Sequence, residues 1–404
     1  MCHWCRLSIF LGTLATSVVV ASPPALARES VGVKEAPGAA AVQAEGQRVH
    51  GVSWDSPEAL ALAVFQPGRP HGRYERVAVA DLLAAGPGTK PVQPAKLMTY
   101  WAAEQIGVSP RWLLVGGPLG GVGWAARSGG ETGELELQGQ EAFGVVWDAD
   151  LWHGQVLVLA MRSAGKRGWA PRGGIGWLGT IPRSGEGLAG RRAIFRDPAG
   201  PGAPTFNRCG PLQLTTGAFL ADGEIALVPG AADGVYLYSS AGKLERAWTS
   251  DQAGLDTGCD LSAKERRTVM ASGRPRARWQ DQRRIADDVI SFPGGRFAVV
   301  RRWVEVAKVH WDLRVFDPNG TVTTVRLPMT AEAGGDHWVR MKAAVEGRRI
   351  ALLAVDSQLD AMDRTEPSRL WVGAIRNAKA RTGGDKPAAG SRGAGKGKVA
   401  APGG

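Results

Sequence analysis

A short pattern of apolar and polar positions recurs three times between Asp222 and Ile375. In each copy a glycine-bearing turn leads into a short apolar run, and a second strand-like segment follows it. The turn and first run read ADGEIALV at 221–228, FPGGRFAVV at 292–300 and VEGRRIALL at 345–353. A unit of three or four short antiparallel strands cannot bury both its faces alone, so copies must stack around an axis. The pattern therefore predicts an all-β protein with a β-propeller architecture.

Weaker copies of the pattern fill the N-terminal half, at 53–82, 111–139 and 142–182. Together with the three clear copies they predict six blades, and a seventh near 190–210 remains open. Helices are expected to be few and short. Ser262 and Glu265 form a capping-box pattern that predicts a helix over 263–272. A second helix over 96–106 is compatible with the pattern.

The second clear copy carries a resemblance to a known repeat. Its first element is a Pro-Gly-Gly turn before an apolar strand, and its second is a strand that ends in an Asp and a Gly turn. The residues concerned are Pro293, Gly294, Gly295, Arg296, Phe297, Val299, Leu313, Val315, Asp317 and Gly320. This combination resembles the WD-like repeat of TolB-type propellers, although Gly294 replaces the usual Asp. The resemblance implies a propeller fold and a cell-envelope setting, and it transfers no catalytic residue.

The N-terminal 27 residues have the form of an export signal. Arg6 precedes an apolar run from Leu7 to Ala21, which is shorter than a typical membrane-spanning helix, and Ala25-Leu26-Ala27 fits a signal-peptidase site. We therefore expect a periplasmic or secreted protein that does not span the membrane after cleavage.

The rest of the chain divides by composition. Residues 28–48 lack apolar periodicity and are predicted to be a flexible linker. Residues 49–376 are predicted to form the propeller domain. Residues 377–404 are rich in Gly, Ala and Lys and are predicted to be a disordered basic tail.

Cleavage of the signal would leave two cysteines, Cys209 and Cys259. An even count in an oxidising compartment favours one disulfide between them. These two cysteines are far apart in sequence and do not form a Cys-x-x-Cys pair, and Cys2 and Cys5 lie within the signal segment, so a structural zinc site is not predicted in the mature chain.

The formal charge of +11 is concentrated in two segments, the tail and residues 264–284, where eight basic residues accompany two acidic ones. An Arg-rich segment with an aromatic residue can dock an anionic polymer or an acidic protein face. The candidate binding residues are Arg274, Arg276, Arg278, Trp279 and Arg283. A solvated insertion is the alternative. Nucleic acid is not an expected partner of an exported protein.

Catalytic and cofactor motifs are largely missing from the sequence. The Gly174–Gly179 match to GxGxxG precedes Thr180-Ile181-Pro182, which does not open the helix that a dinucleotide site needs. Three histidines have nearby acidic residues, and a propeller could gather them at one end of its channel for general-base chemistry. These weak catalytic candidates are His153, His310, His337, Asp148, Asp312 and Asp336. Packing and solvated loops are the alternative for all of them, and no metal or cofactor is predicted.

These observations favour an exported, non-enzymatic propeller that binds an envelope protein or an anionic polysaccharide. The alternative is a propeller hydrolase or lyase with a His/Asp site at the central channel. The two interpretations differ in where function lies, in the basic segment 264–284 or in the channel.

Overall fold

The computed structural model describes residues 29–43, 47–65, 73–84, 92–95, 105–117, 121–128, 131–135, 143–162, 176–181, 189–195, 215–229, 234–256, 261–271, 273–334, 337–358 and 367–377. These residues form 24 strands, which are mostly short, and a few short helices. The signal segment, Cys209, Cys259, Asp336 and the tail beyond Asn377 lie outside the described residues. The predictions made for them remain predictions.

The strands of the described residues form six four-stranded sheets. Sheet 1 contains β2 (Arg48–Ser56), β3 (Ala59–Phe65), β4 (Arg73–Ala78) and β5 (Val92–Ala95). Sheet 2 contains β6 (Gln105–Val108), β7 (Trp112–Gly117), β8 (Gly121–Ala126) and β9 (Thr132–Glu134). Sheet 3 contains β10 (Phe143–Trp152), β11 (Gln155–Arg162), β12 (Gly176–Thr180) and β13 (Ala189–Phe195).

Sheet 4 contains β14 (Thr216–Phe219), β15 (Ile225–Val228), β16 (Val235–Tyr238) and β17 (Leu244–Trp248). Sheet 5 contains β18 (Ile285–Phe292), β19 (Arg296–Glu305), β20 (Lys308–Phe316) and β21 (Val322–Glu332). Sheet 6 contains β22 (His337–Glu346), β23 (Arg349–Gln358), β24 (Arg369–Asn377) and, from the other end of the domain, β1 (Glu29–Glu35).

The sheets are arranged in a ring. The first strand of each sheet (β2, β6, β10, β14, β18 and β22) contacts the first strands of both neighbouring sheets, and the circle closes between β22 and β2. An apolar cluster fills each of the six interfaces, including the one between sheets 6 and 1. Radial stacking of four-stranded sheets with the first strands innermost is the architecture of a β-propeller. The prediction of an all-β protein with a β-propeller architecture is therefore confirmed.

The linker predicted over residues 28–48 is wrong for much of its length, because residues 29–35 form strand β1 at the outer edge of sheet 6. Arg296 donates two hydrogen bonds to the carboxylate of Glu29, at 3.1 and 2.9 Å. A methyl group on Gly373 would lie 2.0 Å from the carbonyl oxygen of Gly32. The strand therefore packs too closely for any residue larger than glycine at position 373.

Five short helices accompany the sheets in the part of the chain that the structure describes. They are α1 (Ala39–Val42), α2 (Val79–Leu83), α3 (Ser250–Ala253), α4 (Ala263–Ala271) and α5 (Gly273–Asp281). The capping box predicted for α4 is present, with Ser262 N–H donating to Glu265 Oε2 at 2.9 Å and Glu265 N–H to Ser262 Oγ at 3.3 Å. Gly273 begins α5 instead of ending the helical segment. The helix suggested over 96–106 is not formed at its end, because Gln105 and Ile106 belong to β6.

Candidate functional site

A cavity of about 230 Å³ lies at the centre of the ring, lined by residues from all six first strands. We call it the channel pocket. It runs from the middle of the first strands to the end of the ring at which those strands finish, which we call the exit end; the opposite end is the entry end. Small residues such as Gly51, Gly217 and Ala343 leave this space open.

Acidic side chains from sheets 3 and 5 form the innermost layer of the pocket. The hydroxyl oxygen of Thr216 lies 2.7 Å from Oδ2 of Asp148 and 3.3 Å from Oδ1 of Asp288. The backbone N–H of Gly217 donates to Asp148 Oδ2 at 3.3 Å, and that of Ala343 donates to Asp288 Oδ2 at 2.7 Å. Each carboxylate thus links its own first strand to the first strand of the next sheet.

Lys342 supplies the one cationic side chain among the described lining residues. Its Nζ lies 3.5 Å from Oδ1 of Asp148, so it joins sheet 6 to sheet 3, on the opposite side of the ring. Lys342 and Asp148 are 6% exposed each. Removing one partner of such a buried ion pair destabilises the folded protein, because the other charge is then buried without compensation.

Asp150 lies one layer nearer the exit end and is half-buried. Its Oδ1 accepts from the N–H of Leu151 and its Oδ2 from the N–H of Phe219, each at 2.8 Å. The pKa of Asp150 is raised to about 7, chiefly by burial; the charges of Asp148 and Asp288 contribute to this rise, and the two backbone hydrogen bonds oppose it.

The pKa of Asp288 is raised to about 6, chiefly by burial, while the Lys342 ammonium opposes the shift and Asp148 adds to it. The pocket therefore holds two carboxyl groups whose pKa values are raised towards neutrality. Such groups can bind cations or transfer protons. The described residues contain no cluster of His, Cys, Asp and Glu that could hold a metal ion.

The structure separates the three candidate histidines. His153 is exposed in the turn after β10, with a left-handed φ of 46°, at the exit end beside the pocket. His310 lies on β20, stacked on Trp303 at 5.6 Å, near the entry end. His337 is the first residue of β22, also at the entry end. The ring therefore does not bring them together, and their catalytic roles remain predictions.

The candidate acids have different surroundings. Asp148 belongs to the pocket layer described above. Asp312 is buried, and its carboxylate accepts two hydrogen bonds from Arg301, at 2.9 and 2.5 Å. That fork-to-fork pair occupies Asp312 within sheet 5.

The basic segment 264–284 forms the helical pair α4–α5, which we call the basic hairpin. Arg274 and Arg276 lie on α5, and the Arg278 side chain is exposed. Trp279 is only 5% exposed and packs in the apolar cluster between sheets 3 and 4, with the Arg283 guanidinium 4.2 Å from its ring centre. Its indole therefore anchors the hairpin to the core, and the binding role of this segment remains a prediction.

Sequence reasoning missed Asp150, Asp288 and Lys342. The available signal was polar residues at alternate positions of segments that are otherwise small or apolar, as in VVWDADLW at 145–152. Alternation of this kind is expected of a strand with one face on a polar channel. Which of these side chains meet across the ring depends on the tertiary arrangement.

Comparisons with known proteins identify no family. No family model matches the chain, and no curated protein sequence is detectably similar. Among solved structures, a streptogramin B lyase has a TM-score of 0.44 at 8% identity, covering 86% of this chain and 98% of that one. A member of the DUF4221 family from Bacteroides vulgatus has a TM-score of 0.47 at 9% identity, with coverages of 86% and 98%. The calcium-binding protein regucalcin from Agrobacterium tumefaciens has a TM-score of 0.43 at 11% identity, with coverages of 82% and 92%. These similarities transfer no function.

Within the described part of the chain, no helix is long and apolar enough to cross a bilayer.

Proposed function

We propose that this chain is an exported, non-enzymatic propeller that binds an anionic polysaccharide of the cell envelope through the basic hairpin. The observation that carries the proposal is that the cationic segment is a folded element fixed to the ring. Arg302, only 1% exposed on β19, donates a hydrogen bond to Asp281 at the end of α5. Val269 and Trp279 pack into the core from the same hairpin. Its exposed charges are thus held in place at the entry end.

The chemistry of the exposed face favours a polyanion over a protein. Lys264, Arg267, Arg278 and Arg284 are exposed along it. The exposed large apolar residues of the described chain are Leu83, Leu244 and Val306, none of which lies in the hairpin. Protein interfaces generally need an apolar or aromatic anchor at their centre. A charged polymer needs only a fixed array of opposite charges.

Several further features belong to the same proposal. The ring has six blades in the full chain, of the kind that the TolB-like repeat suggests, and Cys209 pairs with Cys259. Residues 1–27 direct export, and the mature protein is periplasmic or secreted. The export motif supports the proposed location, the six described sheets support the blade number, and the even cysteine count after cleavage supports the disulfide.

The test compares two triple charge reversals. The hairpin variant carries Arg274→Glu, Arg276→Glu and Arg278→Glu. The control carries Lys243→Glu, Lys308→Glu and Arg326→Glu, at exposed positions of sheets 4 and 5. Binding to alginate, with neutral dextran as reference, is measured by calorimetry at several salt concentrations. We expect the hairpin variant to lose about tenfold or more in affinity and the control to bind as the unchanged protein does. Equal losses in both variants, or no binding to alginate, would overturn the proposal.

The alternative function, a hydrolase or lyase, is favoured by one observation. Asp150 is a carboxyl group with a near-neutral pKa in an open pocket, which suits a general acid or base. If the alternative holds, Asp150→Asn abolishes turnover of a substrate found by activity screening. A hairpin charge reversal leaves that turnover unchanged.

A further inference from the structure

The channel pocket lies apart from the basic hairpin, and its chemistry is of opposite sign. Its described lining contains four carboxylates, Asp148, Asp150, Asp288 and Glu346, against the single ammonium of Lys342. Lys342 is committed to Asp148 at 3.5 Å. The pocket therefore keeps a negative excess beyond the one ion pair that it contains.

One partly exposed aromatic residue borders the pocket above the acidic layer. Trp54, Trp152 and Phe219 are all lining residues. Trp54 and Phe219 are only 7% and 5% exposed and pack in the apolar clusters between the sheets, so Trp152 offers the aromatic surface. The rings of Trp152 and Phe219 are stacked with centres 6.2 Å apart. Aromatic surfaces combined with carboxylates recognise organic cations, because the ring faces and the carboxylates both attract positive charge.

The available space limits the size of a ligand. A volume of 230 Å³ corresponds to about eight water molecules at the liquid volume of about 30 Å³ each. This is smaller than a typical drug-sized site. A compound with a short aliphatic chain and one charged group fits this volume.

We propose that the channel pocket binds a small organic ammonium compound, whose charged group is held by Asp150 and whose aliphatic part lies against Trp152. Asp150 is the anchor because it lines the pocket and is partly exposed, whereas Asp148 and Asp288 are buried. Its two backbone hydrogen bonds leave further acceptor positions on the carboxylate oxygens. Asp148 and Asp288 act from the inner layer by charge, since Thr216 and backbone N–H groups already occupy them.

The proposal has a consequence for protons. The groups that face Asp150 are Asp148 and Asp288 from the inner layer, Lys342 across the channel and Glu346 at the exit end. A cation bound at Asp150 stabilises the charged carboxylate and lowers its pKa from about 7. Binding at neutral pH therefore releases protons, and affinity falls as the pH drops below about 7.

The experiment uses butylammonium and butyrate, which have the same chain and opposite charge. Titration calorimetry of the full-length protein in buffers of different ionisation enthalpy measures both affinity and proton release. We expect saturable binding of butylammonium with proton release, no binding of butyrate, and at least about a tenfold loss of affinity in Asp150→Asn. The control Asp222→Asn, an exposed carboxylate outside the pocket, should bind butylammonium as the unchanged protein does.

Trp152→Leu provides a second variant should Asp150→Asn fold poorly, and it should weaken binding without altering proton release. Failure of butylammonium to saturate, equal binding of butyrate, or unchanged affinity in both pocket variants would overturn the proposal. The hairpin charge reversal should leave butylammonium binding intact, so the two sites fail or succeed independently.

Discussion

Replacing Asp150 by Asn should change how the stability of the ring depends on pH. The carboxyl pKa is raised from 3.8 to about 7 in the folded protein. At a pH between these two pKa values, Asp150 is protonated in the folded protein and ionised in the unfolded chain. The stabilising contribution of the protonated form is therefore complete below about pH 4 and is lost as the pH rises to about 7.

The magnitude follows from the shift. About three pKa units at about 1.4 kcal/mol each give an upper bound of about 4 kcal/mol, of which roughly 3 falls between about pH 5 and about pH 8. Because Asp150 is half-buried and reaches the solvent of the pocket, we expect about 1–3 kcal/mol over that interval. Asparagine removes this dependence. It also places an amide NH₂ against one of the N–H groups of Leu151 and Phe219, at a cost of about 1–3 kcal/mol that does not vary with pH.

Urea unfolding of both proteins at a series of pH values is the assay. Asp288 also has a raised pKa, of about 6, so the stability of both proteins should decline with rising pH. The informative quantity is the difference between their free energies of unfolding, which should move by about 1–3 kcal/mol in favour of Asp150→Asn from about pH 5 to about pH 8. A difference that stays constant across this range would refute the reasoning, because Asp150 would then not be protonated near neutral pH. Asp222→Asn reports the effect of the same substitution outside the pocket.

Three further substitutions test the ring. Lys342→Met should lower the free energy of unfolding by about 3–5 kcal/mol, because it leaves Asp148 buried without its cation; urea unfolding measures the loss. Gly373→Ala should cost about 1–3 kcal/mol, because the added methyl meets the Gly32 carbonyl; hydrogen exchange should show the loss of protection in β1. Ser262→Ala should cost about 1 kcal/mol through the lost cap of α4; exchange should rise in α4 and not in the sheets.

The fold was predictable from sequence where a strand contains a continuous apolar run. The runs at 225–228 and 297–300 fall in the recurring pattern; the first forms β15 and the second lies in β19, the second strands of sheets 4 and 5. Second strands lie between two strands of their own sheet and between two neighbouring sheets, so their residues are buried on both faces. The apolar signal identified these second strands and not the innermost ones.

The first strands were harder to recognise because they face the channel. β14 reads TGAF, and β10 includes Asp148 and Asp150; small and polar residues there produce no apolar run. β1 was mistaken for a linker because its outer-edge position buries no residue fully. The candidate site lies on the first strands, and the contact of Lys342 with Asp148 joins opposite sides of the ring. No spacing in the sequence encodes that contact.

The acidic layer of the channel links neighbouring first strands, and it also places negative charge in a buried position. Thr216 shows that a neutral hydroxyl can take part in such links, since it lies within hydrogen-bonding distance of carboxylates from two sheets. Carboxylates in the same position carry the cost of buried charge, which is visible in the raised pKa values of Asp150 and Asp288. Lys342 offsets only part of that charge. A bound ammonium group would offset more of it, so the ligand should raise the stability of the ring most at high pH, where the carboxylates are ionised. The free energy of unfolding, measured with and without butylammonium at low and high pH, tests this expectation. A stabilisation by butylammonium that does not depend on pH would contradict the view that the ligand compensates the ionised carboxylates.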